Sequence, residues 1–588
     1  MTKNTLKKLI AVAAGRTPAE LVVRGGKIAD VYSGRFIEGD LAITDGLVAA
    51  IGGTGSYQGH ETIDAAGQYV LPGFIDSHIH IESSFLSPPE LGRLLVPRGT
   101  TTIITDPHEV ANVAGLAGLD YMLQASEGIA LDIKFMAPSC VPCTPFEHNG
   151  AALDAAALEA PLKHERILGL GEMMDYQGVI NENDDVLEKI LLALGQGKLI
   201  DGHSPGLGGR ELSAYMAGMI HTDHECSTLE EMNRRLEMGM YVMLRQGSAC
   251  RDLRTLLPGI TSQNSRRCVL CTDDCQPRTI FEEGHIDNHL RLCVEYGLDP
   301  MTALRMATLN AAECFGLKDR GGFAPGLRAD IVLVDKLRDF RAGKVFTRGK
   351  LTARDGCFLP VSARPCAMAH TGDTVLRASF HVKDFSARKL TLPLASDQVW
   401  VIDISPGSVV TGKVKAAVKR DSSGAFLFDP ASGIAKIAVV ERHQNTGNVG
   451  LGLIRGYGIR RGAVAISVSH DSHNIVVVGA GDGDMAQAVE RLIALDGGAV
   501  LVRDGAILEE MPLPLGGLMS DQTGEWVERK LRSLQQKAVD DLGVNEKIEP
   551  LMTLCFMSLP VIPHLKITDM GLFDTAAFKF IPVEAKGE

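Results

Sequence analysis

Short apolar runs that end in polar or ionisable residues recur between residues 69 and 274 and alternate with stretches of helical spacing. Such alternation predicts strand–helix units that build a parallel sheet. Eight runs fit the pattern: YVLPGFIDSHIH (69–80), TTIITDPHE (101–109), DIKFMAPSC (132–140), ILGLGEMM (167–174), KLIDGHSP (198–205), MIHTDHE (219–225), YVMLRQGS (241–248) and CVLCTDD (268–274). Eight units predict an α/β fold of the (β/α)8, TIM-like barrel type. Residues 185–194 and 228–238 carry apolar positions at helical spacing and are predicted helices between strands.

The flanks read differently. Residues 21–52 alternate apolar and polar positions between Gly and Asp-Gly turn signals, the mark of antiparallel strands. Residues 322–350 have the same character, so the two chain-distant pieces are expected to form one small β-sandwich around the inserted barrel. Beyond about residue 370 strand-like and helix-like segments resume in a Gly-rich region long enough for an additional C-terminal α/β domain. The expected organisation is 1–68 (N-terminal helix and first part of the sandwich), 69–320 (barrel), 321–370 (second part of the sandwich) and 371–588 (C-terminal domain).

Composition narrows the function. A net charge of −13 and the lack of a long basic run set nucleic acid aside as a partner, and a small neutral or cationic substrate fits better. No apolar stretch reaches 18 residues, so a membrane span is not expected. The lysines and short apolar run of residues 1–15 read as an amphipathic helix rather than a secretory signal. The 12 cysteines are scattered through a long chain, which suggests reduced thiols and a cytoplasmic location. Cys140-x-x-Cys143 and Cys268-x-x-Cys271, with Cys275 nearby, hold enough sulfur for a structural zinc site. Cys268 and Cys271 nevertheless lie in an apolar strand, where a free cysteine behaves as a small hydrophobe.

In a parallel barrel all strand C-termini open on one face, so chain-distant strand ends converge there. The ends here supply His78 and His80, His108, Glu172, His203, His224 and Asp273. Imidazoles and carboxylates in this number point to divalent metal ions. His78 and His80 share one side of a strand and can grip one ion together. Glu82, Ser83 and Ser84 follow that pair and either touch substrate or only shape a loop. SHDSHN (469–474), with His470, Asp471 and His473, reads as a polar turn before a core strand, with a further ion or a reach over the barrel mouth as the alternative. HTGD at His370 and ERHQN at Glu441 are weaker signals of the same kind.

FIDSHIHIESS, the HTDHE and CTDD strand ends, and the late DPMTALRMATLNAAECFGLKDRGGFAPGLRADIVLV resemble the amidohydrolase superfamily of metal-dependent hydrolases and deaminases. PGFIDSHIHIESS, TDPHEVANV, GLGEMM, DGHSPGL and SVSHDSHNIVVVG resemble, within it, the bacterial adenine deaminases over nearly the whole chain. The resemblance implies two divalent metal ions, with Mn or Fe(II) favoured and Zn an option. By it, His78 and His80 hold one ion, His203 and His224 the other, Glu172 bridges them, and Asp273 ligates the first while facing the nucleophile. Many relatives bridge their ions with a carbamylated lysine on the fourth strand, but here that strand ends in Glu172 and contains no lysine.

The activity so implied is hydrolytic deamination of adenine to hypoxanthine and ammonia, with Asp273 as base. Glu225 and His108 are both candidates for delivering a proton to ring N1. Another nucleobase deaminase, a cyclic amide hydrolase and a non-catalytic scaffold on the same fold are the competing readings. The implied partner is a small-molecule substrate, with neither nucleic acid nor membrane, and a homo-oligomer stays open.

Overall fold

In the computed structural model, which describes residues 1–359 and 371–585, the apolar runs become eight barrel strands. They are β1 (Phe74–His80), β2 (Thr100–Thr105), β3 (Asp132–Ala137), β4 (Ile167–Met173), β5 (Leu199–Gly202), β6 (Thr222–Asp223), β7 (Tyr241–Arg245) and β8, which runs as Cys268–Cys271 and then Asp273–Asp274. Neighbours from β1 to β5 and from β6 to β8 pair in parallel, and β8 returns to β1 through Asp273 opposite Ile79. At the seam the Gly202 amide donates to Thr222 Oγ1 at 2.9 Å, which joins β5 to β6 and closes the circle.

Inward-facing Ile75, Ile104, Met136, Met243 and Val269 fill the barrel, and Phe315 packs with them. Outward-facing residues bury the helices, among them Asp184–Gly195 and Leu229–Glu237. The second begins with a capping box, in which Thr228 and Glu231 satisfy each other's backbone amides.

The run expected as one strand over 69–80 is broken at Gly73, because its two halves serve different layers. Tyr69–Pro72 pairs antiparallel with Ile331–Val334, so residues before and after the barrel share one nine-stranded sheet. Its core draws on both pieces, with Leu21, Val23, Ile28, Ile331, Leu333 and Phe346 in one cluster. The helix Lys3–Ala13 covers the other face through Leu9 and Val12.

An eight-stranded sheet follows, from Gln398–Asp403 to Ala506–Pro512. The helix Asp482–Ala494 packs on one face of it through Met485, Val489 and Leu492. Its other face contributes Ile437, Val439, Val476 and Val478 to the same apolar cluster as the barrel helices, so this layer is seated on the barrel. No helix among the described residues is long and apolar enough to cross a membrane. The His370 segment lies outside the described residues.

Candidate metal centre

The open end of the barrel gathers the strand-end residues around Glu172. Gly171 precedes it at a place where a Cβ would meet Asp106 Oδ2 at 2.2 Å, so only glycine leaves room for that carboxylate. Asp106 Oδ2 accepts the Glu172 amide at 2.9 Å and holds the strand end in place. Glu172 Oε1 then faces His80 Nε2 at 3.2 Å and His78 Nε2 at 3.7 Å. Its other oxygen faces His203 Nδ1 at 2.7 Å and His224 Nε2 at 3.2 Å. One carboxylate therefore stands between two pairs of imidazoles.

Asp273 completes the ring, with Oδ1 at 3.2 Å from His80 Nε2 and 3.9 Å from His78 Nε2. It sits at the break in β8 with a φ of +61°, in the left-handed region that non-glycine residues seldom adopt. Groups flanking the ring fix its imidazoles. His78 Nδ1 lies 3.1 Å from Asp201 Oδ2, and His80 Nδ1 donates to the Asp106 carbonyl at 2.9 Å, which leaves both Nε2 atoms free to converge at 3.2 Å.

These side chains are buried except for the partly exposed His203, and they set two carboxylates among four imidazoles. Burial alone would push Glu172 up, yet the imidazoles of His224, His203 and His80 hold it well below the usual carboxylate range. Burial likewise opposes a charge on His80, but Asp273 and Glu172 outweigh it and raise its pKa well above the ordinary value. Protons thus supply positive charge that a divalent ion can supply instead.

Donors that share one ion at about 2.1 Å lie roughly 3 to 4.2 Å apart, and the Nε2 atoms of His78 and His80, at 3.2 Å, meet this condition. Among the described residues, His78 with His80 and Glu172, Glu172 with His203 and His224, and His78 with His224 and Asp273 each bring three ligand atoms within 4.8 Å. Asp106, His108 and Glu172 form another such group, and so do His108, Glu109 and Asp471. None of these groups contains a cysteine. Burial pushes the Cys140 thiol up to about 11 and that of Cys268 to about 12, which keeps both protonated.

Glu225 turns into the same space. The regular part of β6 ends at Asp223, so alternation no longer sends successive side chains to opposite faces, and Glu225 Oε1 lies 3.3 Å from His224 Nε2. His108 has carboxylates on both nitrogens: Nδ1 is 3.5 Å from Glu172 and from Asp106, and Nε2 is 3.5 Å from Glu109. Glu82, Ser83 and Ser84 form a 3-10 turn and do not line the cavity, since Glu82 caps the Val110 amide and Ser84 bonds the Ile81 carbonyl.

Sequence reasoning passed over Arg245. It ends β7, so the strand-end rule that found the histidines would have found it too. Its guanidinium is buried among Asp273 Oδ2 at 2.9 Å, Asp252 Oδ2 at 3.1 Å and the Glu225 carboxylate. For SHDSHN the structure bears out the alternative reading, a reach over the barrel mouth, rather than the favoured polar turn. That segment lies on the barrel mouth, where His470 Nδ1 and His473 Nε2 each bond one oxygen of Glu109. The cavity above the ring, of about 690 Å³, is lined by His80, Glu172, Arg245 and Asp273 from the barrel and by Asp471, Phe556 and Ile562 from loops and a helix end of the C-terminal region. Glu441 by contrast only ties its own loop, accepting the amides of His443, Gln444 and Thr446.

Comparison with known proteins agrees with both layers. The model of the amidohydrolase family matches residues 69–353, and that of the adenine deaminase C-terminal domain matches residues 408–579. The chain is 59% identical over 585 residues to adenine deaminase 2 of Desulfotalea psychrophila, covering 100% of each. It is 51% identical over 578 residues to adenine deaminase of Nitratidesulfovibrio vulgaris, covering 98% of this chain and 99% of the relative. Among solved structures, the β-aspartyl dipeptidase of Fervidobacterium islandicum aligns with 58% of this chain and 99% of that one, at 16% identity and a TM-score of 0.45.

Proposed function

The chain belongs to the adenine deaminase family, and from that premise we propose that it is a metal-dependent hydrolase that converts adenine and water to hypoxanthine and ammonia. The observation that carries this reading is the convergence of four histidines on the single carboxylate of Glu172, with Asp273 against two of them.

In this reading His78, His80 and Asp273 would hold one divalent ion and His203 and His224 a second, with Glu172 available to both sets. Manganese or iron(II) suits this thiolate-free donor set, and zinc is the alternative. Bound ions of this kind lower the pKa of water towards 7 and so supply the nucleophile at neutral pH.

The remaining work falls to side chains. Oxygen adds to C6, one proton of the water ends on ring N1, and the other leaves on the amine as ammonia. Asp273 takes a proton through Oδ1, because Oδ2 is engaged by Arg245. Against its burial, the hydrogen bond from His80 and the Arg245 cation keep that carboxylate a weak base, which favours passing the proton on to the departing amine rather than keeping it. Glu225 faces the cavity beside His203 and His224 and is placed to relay the proton to N1. His108 has no nitrogen turned away from a carboxylate, so we give it a positioning role at Glu172 instead.

The test is ammonia release by purified, metal-analysed protein across adenine, adenosine, guanine, cytosine and hydantoins. Turnover of adenine with hypoxanthine as product is expected, and turnover of adenosine alone would overturn the reading.

A further inference from the structure

Where the SHDSHN segment meets the barrel, a second set of ligand atoms converges away from the centre of the Glu172 ring. We infer that His108, Glu109 and Asp471 form an additional divalent-cation site joining the barrel mouth to the later sheet.

His108 Nε2 lies 3.5 Å from Glu109 Oε1 and 3.9 Å from Asp471 Oδ1, and the three ligand atoms fall within 4.8 Å of one another. The 3.5 and 3.9 Å separations from His108 suit donors that share one ion at about 2.1 Å. All three residues are buried, with exposures of 3%, 1% and 3%. Asp471 Oδ2 is buried with no hydrogen-bond partner, an arrangement that costs free energy unless something else binds it.

Charge points the same way. Among the described residues, no lysine or arginine forms an ion pair with Glu109 or Asp471, whose ionic partners are all histidines. Burial, with Asp471 nearby, pushes the neighbouring Glu147 carboxyl well above the usual carboxylate range, so this pocket does not readily take a further uncompensated negative charge. Buried carboxylates without a fixed cation are costly, and metal coordination is one of the few ways to hold them.

Glu109 is oriented for the purpose. His470 and His473 each bond one of its oxygens, and a carboxylate oxygen has a second lone pair, so Oε1 can still face His108. An ion here would tie residues of the second strand–helix unit to Asp471 of the later sheet and fix the lid of the cavity.

Full-length protein and the Asp471→Asn variant are reconstituted with manganese, freed of loose ions and analysed for metal per chain. Wild type is expected to carry one equivalent more than the variant. Anomalous diffraction from manganese-loaded wild-type crystals is expected to show a peak against Asp471, a result that does not require the variant to fold. Equal metal content in the two proteins, or crystals with manganese at Glu172 and none at Asp471, would overturn the inference. Because the readout is a difference and a position, it does not depend on which nucleobase is the substrate.

Discussion

Replacing Arg245 with methionine keeps the aliphatic stem and removes only the guanidinium from among Asp273, Glu225 and Asp252. Two unit charges 2.9 Å apart, as Arg245 and Asp273 are, interact by about 6 kcal/mol at an effective dielectric near 20. If relaxation and solvent remove two-thirds of that, about 2 kcal/mol is left, or roughly 1.5 pKa units on Asp273. Stripping one partner from a buried ion pair costs about 3–5 kcal/mol of stability.

The sign follows from depressed carboxylates. Glu225 is held below its ordinary 4.5 because the Arg245 cation, with His203 and His224, outweighs its burial. Stability from such a group is fully present above its unfolded pKa and is lost as pH falls through the folded one. Wild type therefore keeps this contribution well below pH 4.5, whereas Arg245→Met should lose it close to that value or above. Hypoxanthine formation is followed by absorbance from pH 4 to 10 with metal content measured alongside. The acid limb of kcat/KM is expected to move up by at least about one unit. An unchanged acid limb together with unchanged acid and thermal stability would refute the assignment of Arg245 as the cation that sets these carboxylates.

Three further outcomes follow. Asp273→Asn should lower kcat at least about 10²-fold while the other ligands retain metal, because an amide cannot accept the proton; near wild-type turnover with normal metal would remove Asp273 from the chemistry. His78→Ala and His203→Ala should each lose metal together with activity, and a fully active, metal-replete double variant would show the ring to be structural only. Glu109→Gln removes the negative charge and turns one of the two oxygens that face His470 and His473 into an NH2 donor, so faster hydrogen exchange in residues 469–474 and a raised KM are expected, with unchanged exchange counting against a clasp at the barrel mouth.

The barrel was legible because its evidence is local. Each strand is a short apolar run, and the ionisable residue that closes it must lie on the open face whatever the rest of the chain does. His78, His80, Glu172, His203, His224 and Asp273 were found by that rule, and Arg245 was available to it but went unread. Glu225 shows where the rule stops. Alternation fixes a side chain only while the strand stays regular, and β6 ends two residues earlier.

What the chain order alone supplied is therefore the set of ionisable strand ends and the face they share, since both depend on period and position along eight runs. Tertiary structure decided which of those donors meet, and what else meets them. The bonds from His470 and His473 to Glu109, and the approach of Asp471 to His108, join residues far apart in the chain. No pattern within SHDSHN distinguishes a polar turn in solvent from a lid on the ring of side chains around Glu172. That difference comes from the apolar face of the later sheet, whose burial against the barrel helices carries the segment to the mouth.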